Sequence, residues 1–231
     1  MTKFFVINFF FLIQFEMAQY FILLIISALI SIALAFGPTP LHDFCVADPT
    51  STARGNRGLA CKNPTLVQAN DFFFSGLQSP GNTTNPYGAS IIPVTVATLP
   101  GLNTLGISIA RLDFAPNGVI PPHLHPRGTE ILIVLEGSLQ VGFVTSNPGY
   151  NHFNKTLQAG DVFVVPVGLV HYQFNAGSGN TVVIAALNSE SPGIIAIPNA
   201  IFGAKPDIGN DYLATTFQLD KKIVDQLLAK F

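Results

Sequence analysis

Pro121-Pro122-His123-Leu124-His125-Pro126-Arg127-Gly128-Thr129-Glu130 sets two histidines two residues apart and a carboxylate five residues further on. In an extended strand, side chains at i and i+2 leave the same face. His123 and His125 can therefore converge on one point. Glu130 is an odd step from His125, so a straight strand would aim it at the opposite face. Pro126 and Gly128 lie between them, and both residue types break regular strand geometry. A bend there would return Glu130 to the two imidazoles.

A fourth candidate, His171, ends the run Gly160-Asp161-Val162-Phe163-Val164-Val165-Pro166-Val167-Gly168-Leu169-Val170-His171. It joins the others only if the fold brings these two segments together. Three imidazoles and one carboxylate form a transition-metal donor set. A structural zinc site more often closes with cysteine thiolates. Mixed imidazole and carboxylate donors suit manganese or iron with positions left open for water or substrate. The plain alternative for an isolated HxH pair is two surface or hydrogen-bonded histidines.

The chain has 231 residues, enough for one sizeable domain. Its net charge is −2 and 10% of its residues are charged, with no Lys/Arg run, which excludes nucleic acid as an expected partner. Its 17 prolines and 20 glycines point to many turns between short strands. There are two cysteines, Cys45 and Cys61. In an exported protein they pair, closing a short loop with a stabilisation of about 3 kcal/mol; otherwise they are two free buried thiols.

Residues 1–35 read as a signal peptide. Lys3 precedes the apolar run from Phe4 to Ile13, and a second run covers Tyr20 to Ala35. Met17 is an alternative start. Ala33-Leu34-Ala35 fits the small-x-small cleavage rule, giving a mature start near Phe36 and no stable membrane anchor after cleavage. A retained anchor is the alternative, but the run from Tyr20 is short for a spanning helix. The mean hydropathy of +0.45 partly reflects this leader. Residues 36–70 form a turn-rich arm holding both cysteines. Asn82-Thr83-Thr84 and Asn154-Lys155-Thr156 are N-glycosylation sequons, whereas proline rules out Asn63-Pro64-Thr65.

Between residues 71 and 190 the pattern is β. Candidate strands are 91–96, 105–114, 130–135, 138–144, 161–165, 170–174 and 181–187. No helix-period run interrupts them, so an all-β sandwich or barrel is expected. Residues 191–231 change character. A short helix is expected over 198–202. A last helix, capped by Asp220, would carry Ile223, Val224, Leu227, Leu228 and Phe231 on one face. That face packs on its own domain or on a neighbouring subunit. His42, in the arm, and His152, read as part of a polar loop, are not expected to be ligands. Arg111, Asp113 and Arg127 are expected in ion pairs, and Asn175 in a turn. No dinucleotide, Walker, CxxC or nucleophile-elbow motif is present.

With these residues in view, the chain from Pro40 to Phe231 resembles the germin-like proteins of plants, within the cupin superfamily. Leu41-His42-Asp43-Phe44-Cys45-Val46-Ala47-Asp48-Pro49 resembles their N-terminal box, which usually has Gln at the His42 position. His123-x-His125-x4-Glu130-x6-Gly137 matches the first cupin motif and Gly160-x5-Pro166-x-Gly168-x2-His171-x3-Asn175 the second. Asn117 departs from the glycine that usually opens the first motif, although Gly118 follows it.

The resemblance implies a cupin β-jelly-roll barrel with a C-terminal helical segment. It also implies manganese held by His123, His125, Glu130 and His171, and a Cys45–Cys61 disulfide. An extracellular, apoplastic or cell-wall location and a homohexamer built as a trimer of dimers follow from it too. Stress and defence roles are associated with the family and are not readable from any residue. The activities associated with the family are superoxide dismutation and, in the germins proper, oxalate oxidation. Members with the latter activity carry asparagines before the Arg-x-Asp-Phe and Pro-Pro-His segments. Here Ala110 and Ile120 stand there, so a small anion such as superoxide is the expected substrate and oxalate is not. A non-catalytic ligand-binding or cell-wall structural protein is the second reading.

Overall fold

The computed structural model describes residues 19–27, 42–55 and 58–231. The proposed cleavage site at Ala33–Ala35 and the alternative start Met17 lie outside the described residues. Residues 19–27 form a helix, α1, within a unit spanning Met1–Asp43. No helix among the described residues is long and apolar enough to cross a membrane.

The second unit, Phe44–Phe231, is built on two five-stranded antiparallel sheets. After a small hairpin of β1 (Arg54–Gly55) and β2 (Gly58–Leu59), the strands are β3 (Ala89–Val94), β4 (Ser108–Phe114), β5 (Val119–Leu124) and β6 (Glu130–Glu136). They continue as β7 (Ser138–Val144), β8 (His152–Gln158), β9 (Val162–Val165), β10 (Val170–Asn175), β11 (Thr181–Leu187) and β12 (Ile195–Ala196). One sheet has the order β12-β5-β10-β7-β8 and the other β3-β4-β11-β6-β9. This is the expected jelly-roll sandwich. Its core joins the inner faces, with Leu112, Phe114, Leu132, Val134 and Val183 from one sheet and Ile120, Leu139, Val141 and Leu157 from the other.

Period two explains most of this. β4 buries Ser108, Ala110 and Leu112 and turns Ile109 outward. The face containing Ile107 and Ile109 is therefore the outer one, despite its larger side chains. Pro93 sits in β3, an edge strand, where its missing N–H costs no ladder bond between two partners. The polar loop expected around His152 is instead the edge strand β8. All its side chains except Leu157 are exposed or nearly so, so it shows no apolar alternation. Asn154 of the second sequon accordingly lies on an exposed strand, while Asn82 lies in an exposed turn.

Cys45 and Cys61 form the disulfide. Asn103, fully buried, ties the arm to the sandwich: its amide donates to the Leu59 carbonyl at 2.9 Å and its oxygen accepts from Leu59 N at 3.0 Å. Arg111 and Asp113 form the expected ion pair, at 2.7 Å, and hold the segment preceding β3. Arg111 donates to Leu77 O, and Asp113 accepts from Gly81 N.

Three helices follow the sheets: α2 (Ile197–Phe202), α3 (Asn210–Phe217) and α4 (Lys221–Leu228). α3 was not legible beforehand; only Leu213 of its eight residues is buried. Asp220 caps α4 by accepting from Lys222 N at 2.8 Å. The apolar face of α4 packs within its own unit. Val224 is fully buried, and Phe202 stacks near Phe217 and Phe231, leaving Ile223 outward.

Two turn positions depend on glycine. The Asn117 departure is accommodated, because asparagine tolerates the left-handed φ of 61°. Gly118 supplies the close approach: a Cβ there would lie 2.2 Å from Gly88 O. Gly137, between β6 and β7, has φ 80°, and a Cβ would meet Thr181 Oγ1 at 2.4 Å and Asn180 O at 2.5 Å. Gly137→Ala therefore combines backbone strain with a clash. It is expected to lower unfolding free energy by about 2 kcal/mol or more, read from urea denaturation of the purified protein.

Candidate metal centre

The odd spacing between His125 and Glu130 is resolved by a change of sheet. β5 and β6 lie in opposite sheets, and residues 125–129 carry the chain from one to the other. Glu130 opens β6 and faces the histidines from across the sandwich. His123 pairs directly with His171 on β10, so adjacent strands supply both imidazoles. A register shift follows, with Gln173 opposite Ile120, because Pro121-Pro122 bulges β5. The bulge lets Ile120 and His123 both point inward although they are three positions apart.

His123, His125, Glu130 and His171 each offer a ligand atom, and these atoms all lie within 4.8 Å of one another. Ring centroids are 4.0 Å apart for His123–His171 and 5.2 Å for His123–His125. Glu130 Oε2 lies 3.1 Å from His125 Nε2 and 3.2 Å from His171 Nε2. His42 is exposed, and His152 contacts the Tyr172 hydroxyl; neither belongs to the cluster.

Each imidazole is oriented through its other nitrogen. A carbonyl can only accept, so Nδ1 is the donor in each case. His123 donates to Pro121 O at 2.9 Å, His171 to Leu169 O at 2.9 Å, and His125 to Gly193 O at 2.6 Å. This tautomer leaves the Nε2 lone pairs for a central cation. The Gly193 contact comes from a strap that Arg127 pins: Arg127 Nε donates to Ser191 O and Arg127 N to Pro192 O. Arg127 thus serves a backbone anchor rather than an ion pair.

The electrostatics match the donor set. Burial and the neighbouring His171 charge push His123 down to about 4, so its imidazole is neutral at pH 7. Burial would raise Glu130, but its contacts with His125 and His171 outweigh it and hold the carboxyl at about 2. Burial would also lower His125; its contacts with Glu130 and Gly193 overcome that and raise it. A neutral His123 beside an ionised Glu130 supplies two of the ligand forms a divalent cation requires.

Sequence reasoning did not single out Gln173. It is buried, two residues after His171 on the same face of β10, and donates from Nε2 to Glu130 Oε1 at 3.3 Å. Its own Oε1 has no partner. The period-two step from His171 would have found it.

The cluster opens into a cavity of about 440 Å³. His123, His125, Glu130 and Gln173 line its polar end. Ala110, Leu112, Ile120 and Leu187 form its walls, with Ile91 and the 191–194 strap nearer the mouth. Ala110 and Ile120, where two amides would serve a dicarboxylate, both face this space.

This fold with a three-histidine, one-glutamate cluster defines a metal-centred cupin, and the Cupin family pattern matches residues 75–225. The chain belongs to the germin-like proteins of that family. It is 55% identical over 212 residues to putative germin-like protein 2-1 of Oryza sativa subsp. japonica, covering 92% of this chain and 98% of the relative. It is 50% identical over 208 residues to germin-like protein subfamily 1 member 20 of Arabidopsis thaliana, covering 90% and 94%. Among solved structures it is similar to a recombinant oxalate oxidase in complex with glycolate. There the TM-score is 0.80 at 40% identity, covering 84% of this chain and 97% of that one.

Gln173 holds a carboxylate oxygen of the ligand set, so its loss should loosen the centre without removing a ligand. Gln173→Leu is expected to weaken divalent-metal affinity about 10- to 100-fold, measured by competition with a chromogenic chelator.

Proposed function

We propose that this chain is a secreted, manganese-holding germin-like protein with superoxide dismutase-type activity and without efficient oxalate oxidase activity. The observation that carries the proposal is the pairing of an oriented three-imidazole, one-carboxylate cluster with a cavity whose walls at Ala110 and Ile120 are apolar. The donor set fits manganese, consistent with the family resemblance. Manganese bound there would supply one-electron redox chemistry and Lewis acidity.

The rest is done by the chain. Three neutral imidazoles and one carboxylate leave a net charge of +1 around a divalent ion, which favours small anions. The Nδ1–carbonyl bonds fix the ligands. Dismutation converts two superoxide anions and two protons to dioxygen and hydrogen peroxide, and asks little further of the protein. Oxalate asks for donors that orient two carboxylates. Ala110 and Ile120 donate no hydrogen bond, and an apolar wall disfavours a second buried charge. The likeness to oxalate oxidase is therefore read as one of fold.

Export to the extracellular space, apoplast or cell wall fits the apolar leader and the disulfide. Asn82 and Asn154 are exposed and suit glycosylation on that route. Assembly as a hexamer, a trimer of dimers, is supported by the outer face of the β3-β4-β11-β6-β9 sheet. There Ile109, Ile131, Leu135, Val162 and Val164 are exposed, a patch that suits burial against another copy. A stress or defence role follows the family. The second reading, a non-catalytic binding or structural cell-wall protein, is favoured by one observation: the cavity is far larger than superoxide needs.

Superoxide dismutation by the purified mature protein, assayed before and after chelation, tests the first reading. Near-stoichiometric manganese with activity lost on stripping, restored on reloading and absent in His123→Ala is expected. Strong peroxide release from oxalate would overturn the exclusion of that substrate. Metal without dismutation would favour the second reading. Sedimentation at micromolar concentration should give a species of six chains; a stable monomer would overturn the assembly.

A further inference from the structure

The cavity itself says more about what the centre accepts. One end is polar and carries the cluster; the walls are aliphatic from both sheets. On the inner face, Ser108, Leu187 and Glu130 lie side by side across β4, β11 and β6. The next row is Pro93, Ala110, Ala185 and Leu132, and the one after holds Ile91, Leu112, Val183 and Val134. Two inner-facing positions of the edge strand β3, Ile91 and Pro93, border the cavity instead of closing it. The space therefore runs from the carboxylate end of one row along two aliphatic rows.

None of the described residues lining this cavity is a lysine or arginine. The nearby arginines are engaged: Arg111 with Asp113, and Arg127 with the strap. Among the described lining residues the cluster alone would compensate an anion, and around a divalent ion it would leave one net positive charge. Two buried polar atoms along the lining have no partner, Ser108 Oγ on β4 and Gln173 Oε1 on β10. Unmet polar atoms of this kind point to a missing ligand or water. A volume near 440 Å³ is in the range of small-molecule pockets, many times the size of a diatomic anion.

We infer that this cavity binds a small monocarboxylate with an apolar body. The carboxylate is directed to the cluster and the hydrocarbon part lies among Ile91, Ala110, Leu112, Ile120 and Leu187. The inference rests on the metal-holding reading of the cluster and is independent of dismutation. A dicarboxylate is disfavoured because its second charge has no cation to meet. A neutral apolar molecule is disfavoured because it leaves the charged end unmatched.

The test is a calorimetric titration of the manganese-loaded mature protein with acetate, butyrate, hexanoate and phenylacetate, with hexanamide as the uncharged control. Burial of each methylene is worth up to about fourfold in affinity. Hexanoate and phenylacetate are therefore expected to bind at least about tenfold more tightly than acetate, with hexanamide near the acetate value or weaker. Ile120→Asn is expected to reduce the hexanoate-to-acetate ratio severalfold, provided its melting temperature and metal content match the parent protein. The chain-length series on the unmodified protein stands even if that variant fails to fold.

A flat series overturns the inference, as does hexanoate binding that is unchanged after chelation. Superoxide assay and metal analysis of the same sample separate the readings. A flat series with full dismutation overturns this inference alone. A rising series without dismutation overturns the dismutase reading alone. A folded protein that takes up no metal overturns both.

Discussion

Glu130 is a carboxylate enclosed between two β-sheets, 3% exposed, and held in its ionised form at neutral pH. A charge in that position is costly unless hydrogen-bonded and paired. His171 contacts Oε2 and Gln173 donates to Oε1 from the opposite sheet, and His125 contacts Oε2 from the segment that leaves it. The two sheets therefore cannot shift relative to one another without stranding the carboxylate. Sheet packing and site geometry are one constraint, satisfied at one end of the sandwich by charge and over the rest by the apolar core.

The imidazoles meet that constraint with backbone rather than side-chain anchors. His123 and His171 each use the carbonyl two residues earlier, a local device that a strand entering from a turn can repeat. His125 lies just past the end of β5 and uses Gly193 O instead. That contact explains the bonds around it. Arg127 holds Ser191 and Pro192, and Thr129 and Asn188 exchange two hydrogen bonds. β12 then pairs with β5 directly below the site, with Ala196 opposite His123. The segment after the last long strand thus completes the centre as well as bordering its mouth.

The four residues of the cluster were legible because three are close in sequence and all are residue types that are costly to bury without purpose. The strands were legible where one face is apolar, as in β6, β7, β10 and β11. β8 was not, because it is an edge strand whose side chains meet solvent, and its polarity imitates a loop. α3 was hidden for a similar reason: one buried leucine gives no helical period. Gly193 could not be found from sequence, since it acts through a carbonyl every residue possesses, 68 residues from its partner. Gln173 was within reach, sharing the alternation that placed His171. The bend expected between His125 and Glu130 is present, and it is a change of sheet. The chain does not fold back within one strand; it crosses to the other sheet, where the parity of the spacing no longer applies.

The same register separates what the fold fixes from what it leaves free. Ile120 faces inward only because the Pro121-Pro122 bulge restores its alignment opposite Gln173, and Ala110 lies one row from Glu130. Neither contributes to the cluster, and neither position is dictated by strand propensity. An amide at both would give the cavity donors for a second carboxylate; alanine and isoleucine give it a dry wall. Chemistry can therefore diverge at two wall positions while cluster, sheets and strap remain unchanged, since function resides in the site rather than the fold. The likeness to an oxalate oxidase is one of fold, and the cluster and the two wall positions are separate features of this chain's own sequence.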